Sequence, residues 1–134
     1  MTTNAPKGLA LTGSILAIVV GSLALIGGLL ALAGRGPDFL KVAGVIALGF
    51  GIAGVVLGGI GCTIKPGPIL ANAIVFSVLT LFGLIGLSSG RAHPVLMVGL
   101  LLEATTTVFL YVGFAQARRY QAALRDQASA ASAA

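Results

Sequence analysis

Glu103 is the only acidic residue within the four long apolar segments of this sequence. In a helix it shares one face with Gly99, Thr106 and Thr107, because residues three or four positions apart are neighbours. A charged side chain near mid-bilayer costs about 2.5–3.5 kcal/mol on insertion scales, so it needs a proton, a partner or an ion. Three roles follow: a structural group that fixes helix register, a contact with a basic or polar group of a partner protein, or a proton- or cation-carrying site.

The composition indicates an integral membrane protein. The chain has 134 residues, of which 57% are hydrophobic and 8% are charged, and its mean hydropathy is +1.09. A soluble domain carries roughly 25% charged residues, which cover its water-facing surface. We therefore expect a single membrane domain in contact with membrane lipids. The net charge is +5, but the basic residues are not interleaved with aromatic residues as in a site for single-stranded nucleic acid. No nucleic-acid partner is therefore expected.

Four apolar segments each have the roughly 20 residues that a transmembrane helix requires. They cover about 9–33, 39–64, 69–88 and 94–115, and short Gly- and Pro-containing connections separate them. Loops this short make successive helices antiparallel neighbours. The predicted fold is all-α: residues 1–115 form an up-down-up-down bundle of four transmembrane helices. An Ala-rich, basic tail, 116–134, is expected to continue the fourth helix into the cytoplasm.

The basic residues predict the orientation of the bundle. One side carries Lys7, Lys65, Arg118, Arg119 and Arg125, and the other carries Arg35, Lys41 and Arg91. This excess places both termini in the cytoplasm by the positive-inside rule. We expect the three tail arginines to contact lipid headgroups or a partner. The short loops and the Ala- and Gly-rich composition favour a bacterial inner membrane.

Small residues recur every three or four positions in the first two segments. Such residues allow close backbone approach, which drives helix association in lipid. We call these the small-residue stripes: Gly13, Ala17, Gly21, Ala24 and Gly28 in the first helix, and Gly44, Ala47, Gly51, Gly54 and Gly58 in the second. They are expected to face each other or the same stripes in another copy. The third segment has a thin polar face of Asn72, Ser77 and Thr80.

The sequence predicts no catalytic, cofactor or metal site, and hence no enzyme. One histidine, one cysteine and three acidic residues in separate segments do not assemble a nucleophile, a base and an orienting acid. His93 alone does not build a metal site. Cys62 has no second cysteine with which to form an intrachain disulfide.

These features favour a non-catalytic accessory or structural subunit of a larger membrane complex, packed through its Gly/Ala-rich helix faces. The alternative is a homo-oligomeric transporter or a proton- or cation-translocating subunit that uses Glu103. In its glycine-rich helices and single mid-membrane glutamate, the chain partly resembles the ring-forming proteolipid subunits of rotary ATPases, which implies an ion-carrying role for Glu103. The glycine spacing and the inferred orientation depart from that family, so the sequence assigns none.

Overall fold

The computed structural model describes residues 5–90 and 94–134. Every regular element in these residues is an α-helix: α1 spans Gly8–Ala33, α2 Asp38–Gly61, α3 Pro66–Ser88 and α4 Pro94–Ala133. All four are long and apolar enough to cross a membrane. The predicted all-α class with four such helices is therefore confirmed. Arg91 and His93, which the sequence places in the third connection, lie outside the described residues.

Proline marks the start of three helices. Pro37 precedes α2 in an extended conformation, Pro66 is in the first turn of α3, and Pro94 is the first residue of α4. Proline suits these positions because the first helical residues have no intrahelical acceptor for an N–H group. The same residues that separate the apolar segments in the sequence thus also fix where the next helix begins.

The second helix ends at Gly61, whereas the apolar segment in the sequence continues to Ile64. A tight turn follows, in which the Thr63 and Ile64 N–H groups donate to the carbonyls of Ile60 and Gly61. Ile64 has φ of 57°, a left-handed conformation that is costly for a β-branched residue. Its side chain is buried in the core, so packing holds the strained turn in place.

Helix α4 is much longer than a single membrane crossing. Its 40 residues extend about 60 Å at 1.5 Å per residue, and a hydrocarbon core of roughly 30 Å accounts for about half of that length. The predicted tail is therefore helical and continuous with the fourth apolar segment as far as Ala133.

Helices α1 and α2 pack with their backbones almost in contact. A Cβ atom added to Gly28 would lie 2.8 Å from the Gly44 carbonyl oxygen, and one added to Gly21 would lie 3.0 Å from the Gly51 oxygen. Gly21 therefore meets the later residue Gly51, and Gly28 meets the earlier residue Gly44, so the two helices run antiparallel. Glycine is required at these positions because any side chain would enter the neighbouring backbone.

The other two helices close the bundle around one end of this pair. A Cβ atom on Gly113 of α4 would lie 2.8 Å from Ala10 Cα in α1. On the opposite side, the Phe76 ring of α3 packs against Gly54 of α2, where an added Cβ would lie 3.2 Å away. Helix α3 also packs along α4, while α2 and α4 lie diagonally across the bundle.

The buried interior occupies only part of the length of the bundle. We call the end near the starts of α1 and α3 the terminal end, and the end near Ala33 and Ser88 the loop end. The largest fully buried side chains all lie toward the terminal end: Ser14, Ile69, Asn72, Phe76, Thr106 and Leu110. In α3, no described residue after Phe76 is buried. The interior is therefore closed at the terminal end and open toward the loop end.

Candidate functional site

Glu103 lies where the closed interior gives way to the open end. It belongs to the stripe of α4 that continues through Thr106, Leu110 and Gly113, which are all buried. Glu103 itself is half-buried. At 1.5 Å per residue it lies about 13 Å along α4 from Pro94. In a helix that crosses a hydrocarbon core of roughly 30 Å, this position is near the middle.

The Glu103 carboxylate has no hydrogen-bond or ion-pair partner within the described parts of the chain. The two threonines that share its face bond to their own helix instead. Thr106 Oγ1 donates to the Leu102 carbonyl at 2.7 Å, and Thr107 Oγ1 donates to the Glu103 main-chain carbonyl at 2.8 Å. Gly83 of α3 lies beside the carboxylate, since a Cβ atom added there would lie 3.7 Å from Glu103 Oε2. The hydroxyl groups of Thr106 and Thr107 thus donate to main-chain carbonyls of α4.

A cleft of about 240 Å³ opens beside this carboxylate, between α3 and α4. We call it the Glu103 cleft. Apart from Glu103, its lining is apolar or glycine: Phe82, Gly83, Gly86, Leu87, Leu96, Gly99 and Leu100. Added Cβ atoms at Gly86 and Gly99 would meet nothing within 4 Å, so the walls of the cleft are unfilled at both positions. A single acidic group thus stands in an apolar recess large enough for one side chain.

A line of hydroxyl groups runs along the α3–α4 interface from Glu103 toward the terminal end. Thr107 Oγ1 lies 3.4 Å from Thr80 Oγ1, and Ser77 Oγ lies 3.0 Å from Tyr111 OH. Ser77 and Thr80 belong to the polar face predicted for the third helix. We call these four residues the hydroxyl seam. They place exchangeable protons along about one turn of each helix.

The small-residue stripes are mostly used within the chain. The Gly21–Gly51 and Gly28–Gly44 contacts join the two stripes directly, and a Cβ on Gly58 would meet the Ser14 carbonyl oxygen of α1 at 2.9 Å. The remaining stripe residues pack against α3 or α4 or are less buried. Gly13 faces the Phe109 backbone of α4, Gly54 faces Phe76 of α3, Ala17 is buried, and Ala24 and Ala47 are half-buried.

Two buried polar side chains are unusual in this interior. Ser14 Oγ and Asn72 Oδ1 have no hydrogen-bond partner among the described residues, and both side chains are fully buried. The Asn72 amide nitrogen donates to the Gly54 carbonyl only at 3.5 Å. The sequence identified Asn72 as polar but gave no reason to single out Ser14. Its position against Gly61 depends on the crossing of α1 and α2, where an added Cβ on Gly61 would lie 2.6 Å from Ser14 Oγ.

The basic residues of α4 gather at the terminal end. Gln121 Nε2 donates to the Ile64 carbonyl at 3.1 Å, which ties α4 to the turn before α3. Lys7 lies over the Tyr120 ring at 5.6 Å from its centroid, and the Arg118 guanidinium lies 5.8 Å from the Phe114 ring centroid. Arg118, Arg119 and Arg125 are exposed.

Within the described residues, no group of three or more His, Cys, Asp or Glu side chains could hold a metal ion. Comparison of the chain with protein-family models, curated proteins and solved structures gives no match.

Proposed function

We propose that the chain is an integral membrane protein whose four helices cross the bilayer in up-down-up-down order, with both termini and the end of α4 in the cytoplasm. The support for the orientation is the excess of Lys and Arg near Lys7, Lys65 and the end of α4. A bacterial inner membrane suits the short connections and the Ala- and Gly-rich composition.

Within that membrane, we propose that the protein is a non-catalytic accessory subunit of a larger complex, which receives a basic side chain from a partner's transmembrane helix in the Glu103 cleft. The observation that carries this proposal is a carboxylate in an apolar recess that has no partner among the described residues. Ionisable groups at this depth are normally paired with one another or with backbone carbonyls, because an isolated charge is poorly solvated in hydrocarbon. A Lys or Arg from a second protein would supply the missing partner.

The size of the cleft favours one side chain over a bound small molecule. Its volume of about 240 Å³ is below the roughly 300–1,000 Å³ of typical ligand pockets. The glycines along its walls also allow another helix to come close. Most glycines of the small-residue stripes pack inside the chain, which supports the Glu103 cleft as the docking surface. The outward glycines of α1 and α2, such as Gly27 and Gly59, leave a further Gly/Ala-rich face for packing.

The first test is the composition of the intact particle extracted in a mild detergent, measured by native mass spectrometry. We expect at least one other membrane polypeptide in a fixed ratio to this chain. Glu103→Gln should lower that ratio by more than about tenfold, since breaking a buried charge pair typically costs 3–5 kcal/mol. Glu103→Asp should retain the partner because it keeps the carboxylate.

Thr105→Ala is the matched control for this experiment. Thr105 lies two residues from Glu103 on the exposed side of α4, and its hydroxyl bonds to its own helix. We expect this variant to keep the partner at the wild-type ratio. A particle containing only this chain, or an unchanged partner ratio in Glu103→Gln, would contradict the accessory role.

The hydroxyl seam favours a second function, in which copies of the chain carry protons or cations through Glu103. Ser77, Thr80, Thr107 and Tyr111 provide hydroxyl groups along the α3–α4 interface beside the carboxylate. For this function, purified protein in vesicles should collapse a pH gradient followed with a pH-sensitive dye. Glu103→Gln should abolish the flux and Tyr111→Phe should slow it, whereas the accessory role predicts no flux from the wild type.

A further inference from the structure

A second cleft lies at the terminal end, where the post-membrane part of α4 passes the start of α3. It has a volume of about 280 Å³ and is lined by Pro66, Arg118, Gln121, Ala122 and Arg125. The hydrogen bond from Gln121 to the Ile64 carbonyl crosses between the two elements and sets their separation. We call this the arginine cleft. It is far from the Glu103 cleft and shares no residue with it.

No ion pair among the described residues neutralises the arginines of this cleft. In residues 5–90 and 94–134 the only ion pair is Lys41–Asp38, at 3.5 Å, so neither Arg118 nor Arg125 is paired with a carboxylate. The two arginines are seven positions apart, which places them on the same face of α4 two turns apart. Lys65 precedes Pro66 and is exposed on the same end of the bundle. Two arginines without a carboxylate partner among the described residues therefore line the recess, and Lys65 lies next to Pro66 in the sequence.

The Arg118 end of the cleft is at the depth of the phosphate layer of a bilayer. Arg118 lies about 22 Å beyond Glu103 along α4, and a hydrocarbon core of roughly 30 Å ends about 15 Å from its midplane. With Glu103 near mid-bilayer, Arg118 is therefore at headgroup level. Arg125 lies about 10 Å farther out along α4. Because helical side chains lean toward the helix N-terminus, an arginine at this position can reach back toward Arg118.

We propose that the arginine cleft binds the phosphate of an anionic phospholipid of the cytoplasmic leaflet. The planar guanidinium groups of Arg118 and Arg125 donate paired hydrogen bonds to phosphate oxygens, and Lys65 adds a third positive charge. Pro66, Gln121 and Ala122 complete the lining of the cleft. This site depends on the membrane orientation proposed above but not on the role of Glu103.

A titration with defined lipids tests this site on the full-length protein in detergent. Native mass spectrometry would measure binding of phosphatidylglycerol and of phosphatidylcholine, which differ in net charge. We expect tighter binding of phosphatidylglycerol. The double variant Arg118→Ala with Arg125→Ala should weaken it by about 25-fold, since each basic residue near a headgroup contributes roughly a fivefold effect.

The matched control removes the same amount of charge elsewhere. Arg35 and Lys41 are both exposed at the loop end and do not line the arginine cleft. The double variant Arg35→Ala with Lys41→Ala should change phosphatidylglycerol binding by less than about threefold. Equal losses in both double variants would overturn the site, because they would reflect overall charge alone.

Two further measurements separate loss of the lipid site from loss of folding or of charge. The helical circular dichroism of each variant reports folding, and Gln121→Ala should weaken lipid binding without removing any charge, because the cleft loses the bond that sets its width. Displacement of the lipid by millimolar inorganic phosphate would assign the cleft to free phosphate and overturn the lipid proposal. Binding of an acidic peptide more tightly than phosphatidylglycerol would overturn it as well.

Discussion

Gly27 and Gly28 are neighbours in α1, yet only Gly28 faces another helix. A Cβ atom added to Gly28 would lie 2.8 Å from the Gly44 carbonyl oxygen and 3.0 Å from Leu48 Cγ, while one added to Gly27 would meet nothing within 4 Å. The two substitutions Gly27→Ala and Gly28→Ala therefore add the same methyl group at the same depth. They differ in whether α2 must move to accommodate it.

The expected difference in stability follows from two opposing effects. Replacing an interior helical glycine with alanine stabilises a helix by roughly 0.5–1 kcal/mol, and Gly27→Ala should show that gain. Gly28→Ala has the same gain, but backbone atoms cannot yield as a side-chain tip can, and overpacking typically costs 1–3 kcal/mol. We expect Gly28→Ala to be less stable than Gly27→Ala by about 2 kcal/mol, which is roughly a 30-fold difference in the unfolding equilibrium.

Unfolding by SDS in mixed micelles, followed by circular dichroism, would measure the two free energies. Gly58 and Gly59 in α2 provide an independent second pair. A Cβ on Gly58 would lie 2.8 Å from Ile18 Cγ1 and 2.9 Å from the Ser14 carbonyl oxygen, and one on Gly59 would meet nothing within 4 Å. Equal stabilities within either pair, or a more stable Gly28→Ala, would refute the close α1–α2 contact.

Two further predictions concern polar side chains at the terminal end. Ser14→Ala should raise the free energy of unfolding by about 1 kcal/mol, because it removes a buried hydroxyl that has no partner among the described residues. A clear loss of stability in SDS unfolding would contradict this prediction and reveal a partner for that hydroxyl. Gln121→Ala should lower the free energy of unfolding by about 0.5–1.5 kcal/mol through loss of the bond to the Ile64 carbonyl. Hydrogen exchange should then accelerate in residues 62–65 but not in 34–37, and uniform exchange across both turns would contradict this contact.

The helix number and most helix ends were predictable because they depend on local properties. A run of about 20 apolar residues specifies a helix that can cross a membrane, and Pro37, Pro66 and Pro94 mark starts through their own backbone restrictions. The end of α2 was less predictable. Ile64 is apolar and continues the segment, but its burial in the core holds it in a left-handed turn that no local preference favours.

The role of each small residue was only partly predictable. Three-and-four spacing identifies a face that can pack closely, and the Gly21–Gly51 contact agrees with it. Spacing does not say which helix covers which part of the face. Gly13 meets α4 and Gly54 meets α3 because each helix of a four-helix bundle touches two neighbours at different heights.

By itself, the sequence determined that the chain forms four apolar helices and that a single carboxylate lies in their midst, since hydropathy and residue identity are properties of the chain alone. The tertiary structure decided which groups that carboxylate meets. The threonines beside Glu103 bond to their own helix, α3 presents Gly83 to it, and the closed interior stops at Phe76 and Thr106. These contacts depend on where helices cross, which is set by packing between residues far apart in the sequence.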